Sequence, residues 1–556
     1  MRRMWMALLC ASMLALTACA GLPTTGPVQP GPGATTEATD PDVSYRPDAP
    51  QPGATPQQIV EGFVRAASGP QDNWQIARLF LSAGYRETWN PEAGVLVDVL
   101  ADREYAEPAE GAVSLQITPA ATVDEGGTYT RSDGGASAPL SYTLAQQGNG
   151  EWRITRAPDG ILMDEDLFNT GNVFRSYALM YFDPTWDFLV PDVRWFPRAN
   201  AVTRIASALV NGEPSEWLAD AVVSSFPDNV TLVPSVPAPN GVAQAELSEQ
   251  VLSLDQVTLD RMQTQLSASL GTAQIGGVDM LVDGGRVGAS KVATRDTNVD
   301  ARALVLDADG FGFLLSNQIT AIPGLSEAIV DAEPTAIQTA PDKTSAAVLL
   351  PDGSAARVTA DATTVVDDRA GLIDPTIDPF EVVWTVPSAD PDAVRATLGN
   401  GTALALPASW GASSISAMQI SRDGTRMAAI ITLGGAPTVV VAGVIRDSDG
   451  VPTGLGEAVA LSPLSGEGRD VAWVDAATIG VLAGPADAVQ YVQQPVGGDT
   501  VAWEAPVGAV SLAGVNLPSA VRVLDGNGAL FVRRQANWVQ TGAGIDVLAV
   551  QQGAAP

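Results

Sequence analysis

The C-terminal half of this chain repeats itself. "AIQTAPDKTSAAVLLPDG" (336–353) lines up with "AMQISRDGTRMAAIITLGG" (417–435) at an offset of 81 residues, close to two periods of about 40. "DVAWVDAATIGVLAG" (470–484) reads as another copy, and "AVRVLDGNGALFVRR" (520–534) as a more distant one. Each copy is strand, tight turn, strand. A unit this small buries its apolar face only by stacking on its neighbours. The period suits four-stranded blades, so the expectation for 295–550 is an all-β propeller of about five to seven blades. A pair of all-β sandwiches is the alternative. Helical periodicity vanishes from about Thr294 onward, and 295–333 matches no copy well.

Upstream, the pattern is mixed. Thr55-Pro56 starts a helix, with an N-cap followed by proline at the first helical position. Ile59, Val60, Phe63 and Val64 give it an apolar stripe. A second helical stretch runs around Trp74 to Leu81. "VLVDVL" (95–100) and "VSLQI" (113–117) follow as strands, and 140–155 as a hairpin turning at Gly148-Asn149-Gly150. Two helices and then a curved antiparallel sheet predict an α+β domain of cystatin or NTF2 type over 56–158. A second α+β unit is expected over 159–290. It has a helix carrying Val202, Ile205 and Leu209, and another carrying Leu259, Met262 and Leu266.

Composition narrows the chemistry. The 556 residues include no histidine, which excludes Ser-His-Asp and Cys-His catalysis and conventional zinc sites. The two cysteines are Cys10 and Cys19, so no disulfide or thiol chemistry is expected in the folded body. With 63 acidic and 30 basic residues the formal charge is −33, a poor basis for binding nucleic acid. A non-enzymatic protein without cofactor or metal is expected, and no residue is singled out as catalytic.

The N-terminus explains the cysteines. Arg2 and Arg3 precede an apolar run, Met4 to Leu16, of the length of a signal-peptide core. Leu16-Thr17-Ala18-Cys19 then resembles the bacterial lipobox. That resemblance implies cleavage of a signal peptide (1–18) between Ala18 and Cys19, a diacylglycerol on the Cys19 thiol, and acylation, with palmitate for example, of its amino group. Several acyl chains anchor a protein far more firmly than one. From Ala20 to Pro56 the chain holds nine prolines and no apolar periodicity. Residues 19–55 are therefore expected to be an extended tether, with a reach on the order of 100 Å.

Acidic clusters are the candidate reactive groups. Asp164, Glu165 and Asp166 form one; Asp367, Asp368, Asp374 and Asp378 form another. Paired carboxylates suffice for glycoside hydrolysis, and carboxylate oxygens for calcium. Solvated loop charge is the plainer account. Trp186, Trp195 and Trp217 fall close together, which admits sugar stacking, but tryptophan in a strand-rich domain is more often core than platform.

Five separated stretches resemble the LpqB family of actinobacterial lipoproteins. They are "CAGLPTTGPVQ" (19–29), "WRITRAPDGILM" (152–163), "YFDPTWDFLVPDVRWFPR" (181–198), "AVVSSFPDNVTL" (221–232) and "DVAWVDAATIGVL" (470–482). Residues 176–287 look like a GerMN domain, and "ISRDGTRMAAI" (420–430) is similar to the hairpins of TolB-like propellers. The resemblance implies a lipoprotein on the outer face of the cytoplasmic membrane, held to the bilayer through Cys19. It implies an accessory of the MtrA–MtrB two-component system that touches the extracytoplasmic part of the MtrB sensor kinase, in the setting of cell-wall homeostasis and division. A propeller that binds or hydrolyses cell-wall glycan is the alternative, with cell-wall polymers as partners.

Overall fold

A computed structural model describes residues 47–132 and 137–553. Leu16, Thr17, Ala18, Cys19 and most of the expected tether lie outside these residues. Among those described, no helix is long and apolar enough to cross a membrane.

The first helix, Pro56–Ala67, begins where its cap chemistry directs. The Thr55 hydroxyl accepts the Gln58 N–H at 3.3 Å, and Gln58 Oε1 accepts the Thr55 N–H at 3.0 Å. This reciprocal pairing satisfies two donors that a helix start otherwise leaves orphaned. Ile59, Val60, Phe63 and Val64 are buried, as the stripe predicts. The helix packs with Gln71–Leu79 on two sheets. One is antiparallel (Glu104–Ala109, Ala112–Ile117, Ala138–Gln146, Trp152–Arg156). The other joins Tyr129–Arg131, Pro119–Asp124, Gly94–Asp98 and, in parallel, Ile161–Asp164.

The second unit opens on a nine-residue hairpin pair, Phe174–Phe182 with Leu189–Pro197. Asp183 builds its turn: the buried carboxylate accepts N–H groups from Thr185 (3.0 Å) and Phe188 (2.6 Å). Helices Ala201–Asn211 and Gln256–Gly271 pack on this hairpin. A short sheet pairs Val242–Glu246 in parallel with Gly277–Val282.

The remainder is a six-bladed propeller. Blades 2 to 6 cover 336–367, 376–405, 415–463, 468–504 and 509–542. Blade 1 consists of Ala303–Asp307, Gly310–Leu315 and Gln318–Ala321. The C-terminal strand Ile545–Gln551 completes it, placing Leu304 opposite Ala549 and Leu306 opposite Val547. Apolar clusters fill the space between every neighbouring pair of blades. Ile377 and Val383 meet Ala347 between blades 2 and 3, and Val305 and Leu548 meet Leu524 between blades 1 and 6. A pair of sandwiches would have two cores rather than a ring of them.

Two details differ from the sequence pattern. The 520–534 copy is the second and third strand of its blade, whereas the other copies are the first and second. Any tight Asp-Gly hairpin carries the same signature, so the pattern alone does not register the blade. A short helix, Ser326–Ala332, interrupts the β region. It lies in 295–333, the stretch without a clear copy, because blade 1 takes its inner strand from the other end of the chain.

Candidate functional site

Two cavities stand out, one at the seam of the three domains and one along the propeller axis. The seam is held by polar contacts between distant parts of the chain. Trp195 donates its indole N–H to the Gly497 carbonyl at 2.8 Å, and Arg131 pairs with Asp499 at 3.0 Å. Arg194 is clamped by Asp192 (2.8 Å) and donates to the Gly126 carbonyl (2.9 Å), tying the middle domain to the first. Burial works against the Arg194 charge, but the Asp192 carboxylate outweighs it and raises its pKa above the ordinary value. Gly443 in blade 4 admits the middle domain closely: a Cβ there would lie 3.0 Å from the Trp217 carbonyl oxygen.

These contacts leave a cleft of about 550 Å³. Thr128–Thr130 of the first domain, Trp217 and its neighbours of the second, and strands of blades 4 and 5 line it. Asp192 is fully engaged, accepting also the Ser215 N–H (2.8 Å) and hydroxyl (2.7 Å). Glu216, Asp220 and Glu457 on the lining are exposed and form no ion pair with described residues.

The axial channel encloses about 260 Å³. At one end polar side chains brace the blades. Gln552 donates to the Ser421 carbonyl at 2.8 Å and accepts from Gln338 at 2.7 Å, while Arg422 donates to the Trp473 carbonyl at 2.9 Å. Burial lowers the Arg422 pKa to about 10. The segment entering the propeller is fastened to the same end, with Val299 paired to Asn516 through bonds of 2.8 and 2.9 Å. Toward the other end, Asp374, Asp470 and Asp546 line the wall near the starts of the inner strands of blades 3, 5 and 1. Asp470 accepts the Leu512 N–H at 2.7 Å. The surrounding protein, and then the Asp374 charge, push its pKa up to about 8. Asp374 keeps surface open to the channel, yet the protein around it raises its pKa as well.

The sequence clusters are thus dispersed. Asp164 caps the helix Glu165–Asn169 by accepting the Leu167 N–H at 3.2 Å. Asp367 is buried against Arg369 (2.6 Å) and Arg395 (3.0 Å). Asp378 is buried between Arg446 (2.5 Å) and the Trp384 indole N–H (2.8 Å). From that stretch Asp374 alone reaches the channel, and no group of three or more acidic residues among the described residues is placed to hold a metal. The tryptophans likewise part company. Trp186 lies under the Arg261 guanidinium at 3.8 Å, Trp195 stacks on Phe168 at 4.4 Å, and Trp217 lines the cleft. Sequence reasoning passed over Glu216, Asp220, Glu457 and Asp470. Asp470 sits at the start of a repeat copy, but nothing local marks it as facing the axis.

Comparison with known proteins gives the three units their relatives. Residues 49–169 match the N-terminal domain of lipoprotein LpqB, 178–288 the Germane domain of sporulation and spore germination, and 303–547 the LpqB β-propeller domain. Lipoprotein LpqB of Thermobifida fusca is 31% identical over 271 residues, which span 46% of this chain and 42% of that protein. The chain therefore spans less than half the length of this relative. The Mycolicibacterium smegmatis LpqB is 26% identical over 603 residues, covering 98% of this chain and 97% of the relative. Among solved structures, a putative TolB from Agrobacterium tumefaciens aligns with 39% of this chain and 86% of its own at 13% identity. Its TM-score of 0.30 is too low to bear on the fold.

Proposed function

We propose, for a chain whose three domains are those of the LpqB lipoproteins in their order, a non-enzymatic accessory protein anchored through Cys19 to the outer face of the cytoplasmic membrane. It binds the extracytoplasmic domain of an MtrB-like sensor kinase in the setting of cell-wall homeostasis. One observation carries the reading of the body as a binding platform. Three domains are locked together around an open cleft, while the buried carboxylates Asp367 and Asp378 are neutralised by arginines rather than poised for chemistry. Binding alters kinase signalling only if the active and inactive kinase states bind the lipoprotein differently. Anchoring both proteins in one membrane raises their effective concentration, so a weak contact suffices.

Calorimetric titration of the 20–556 chain with the kinase's external domain tests this. A saturable heat at micromolar concentrations is expected; its absence at high micromolar concentrations of both proteins would sink the kinase reading. Cys19→Ala should move the protein from the membrane to the soluble fraction. A second reading, glycan hydrolysis in the propeller, draws on the Asp374–Asp470 pair, one member of which holds its proton near neutral pH as a general acid must. Release of reducing ends from purified cell-wall glycan, lost in Asp470→Asn, would favour it.

A further inference from the structure

We infer that the cleft between the three domains is a docking site for an extended, arginine- or lysine-bearing segment of a partner protein. The inference does not depend on the kinase reading, since the lining sets the chemistry whichever protein presents the segment.

Size comes first. About 550 Å³ lies within the range of pockets that bury a drug-sized ligand, and it is more than twice the axial channel. Charge comes second. The lining contains no lysine or arginine, and Glu216, Asp220 and Glu457 have no ion-pair partner among the described residues. The cations beside the cleft, Arg194 and Arg131, are committed to Asp192 and Asp499. Low-dielectric walls concentrate the field of unpaired carboxylates into the cleft, on a chain already at −33. The third element is Trp217. Elsewhere this protein stacks arginines on tryptophans, Arg533 on Trp503 at 3.6 Å and Arg261 on Trp186 at 3.8 Å. Trp217 lines the cleft with no such cation among the described residues, so an incoming guanidinium finds both an aromatic wall and carboxylates.

Charge also rejects the chain's own tether as occupant. Residues 20–46 carry Glu37, Asp40 and Asp42 against the single Arg46, the same sign as the cleft. An external basic segment is complementary where the tether is not. Seated there, it touches all three domains at once.

The test is titration of the 20–556 chain with a fluorescent Ala-Arg-Ala-Arg-Ala peptide, read by anisotropy, with Ala-Glu-Ala-Glu-Ala as its counterpart. The variant Glu216→Gln/Asp220→Asn/Glu457→Gln is compared with Asp309→Asn/Asp331→Asn/Asp361→Asn. The latter removes the same charge from exposed positions in blades 1 and 2 and the helix between them. Long-range attraction is thus equal in the two variants. The cleft variant should lose at least about tenfold in affinity and the control about twofold or less. Equal losses in both variants, or no loss in either, would show diffuse attraction to an acidic surface and overturn the site. Failure of the unaltered chain to bind the arginine peptide at millimolar concentration would do the same.

Discussion

The hairpins of blades 2 and 4 are copies of one pattern, and their turn aspartates live in opposite surroundings. Asp342 is exposed and accepts only the Thr344 N–H (3.0 Å) and hydroxyl (2.8 Å). Asp423 is 2% exposed. It accepts the Thr425 N–H (3.0 Å) and the Ser421 hydroxyl (2.6 Å) and pairs with Arg426, itself 1% exposed beneath Trp473. The residue after each aspartate is left-handed, with φ of 59° at Lys343 and 78° at Gly424. The turns are alike. What covers them differs: Phe380 of the neighbouring blade and Trp473 of the next close over the blade-4 turn. A short-range pattern sets backbone geometry, and the neighbour sets the energetic weight of each residue in it.

The largest expected effect is at the buried turn. Asp423→Ala leaves Arg426 charged, buried and unpaired, at a cost of about 3–5 kcal/mol. Asp342→Ala removes exposed hydrogen bonds and costs about 1 kcal/mol or less. Urea unfolding measures both, and equal losses would erase the contrast between the turns.

Gly424→Ala is next. Its Cβ would sit 2.8 Å from the Phe380 ring in a left-handed backbone, so a loss of about 1–3 kcal/mol is expected. Lys343→Gly, at the matching half-buried position of blade 2, should change stability by less than about 1 kcal/mol, because relief of left-handed strain is offset by added chain entropy. A large loss at Lys343 would mean that its turn is also held from outside.

The blade-5 copy sharpens the contrast through pH. Burial alone would raise the Asp423 pKa, but Arg426 and the hydroxyls outweigh it and hold the pKa below the ordinary carboxylate value. Its contribution to stability is therefore present above about pH 4 and lost as pH falls below that. Asp470 runs the other way. With its pKa raised to about 8, the folded state holds a proton that the unfolded state releases near pH 4. Stability therefore declines as pH rises from about 4 to about 8. Asp470→Asn should flatten this decline in melting temperatures taken from pH 4 to 9. An unchanged slope would place the proton elsewhere.

Much of the architecture was legible because it is local. Thr55 and Pro56, two adjacent residues, mark the start of the first helix, and the structure adds Gln58 to the cap. Alternating apolar positions with Asp-Gly turns carry the hairpins. Asp470 and the acidic lining of the cleft were not legible, for Glu216 and Glu457 are brought together only by packing a helix of the middle domain on blade 4.

By itself the sequence determined the blade hairpins, the helix caps and the absence of histidine chemistry, since each depends on residues a few positions apart or on composition alone. Tertiary structure decided which aspartates are neutralised, which face the axis and which remain unpaired. Those outcomes depend on partners such as Arg446 for Asp378 and Asp499 for Arg131, 68 and 368 residues away. Desolvation and charge pairing act through space, and no local pattern encodes that distance.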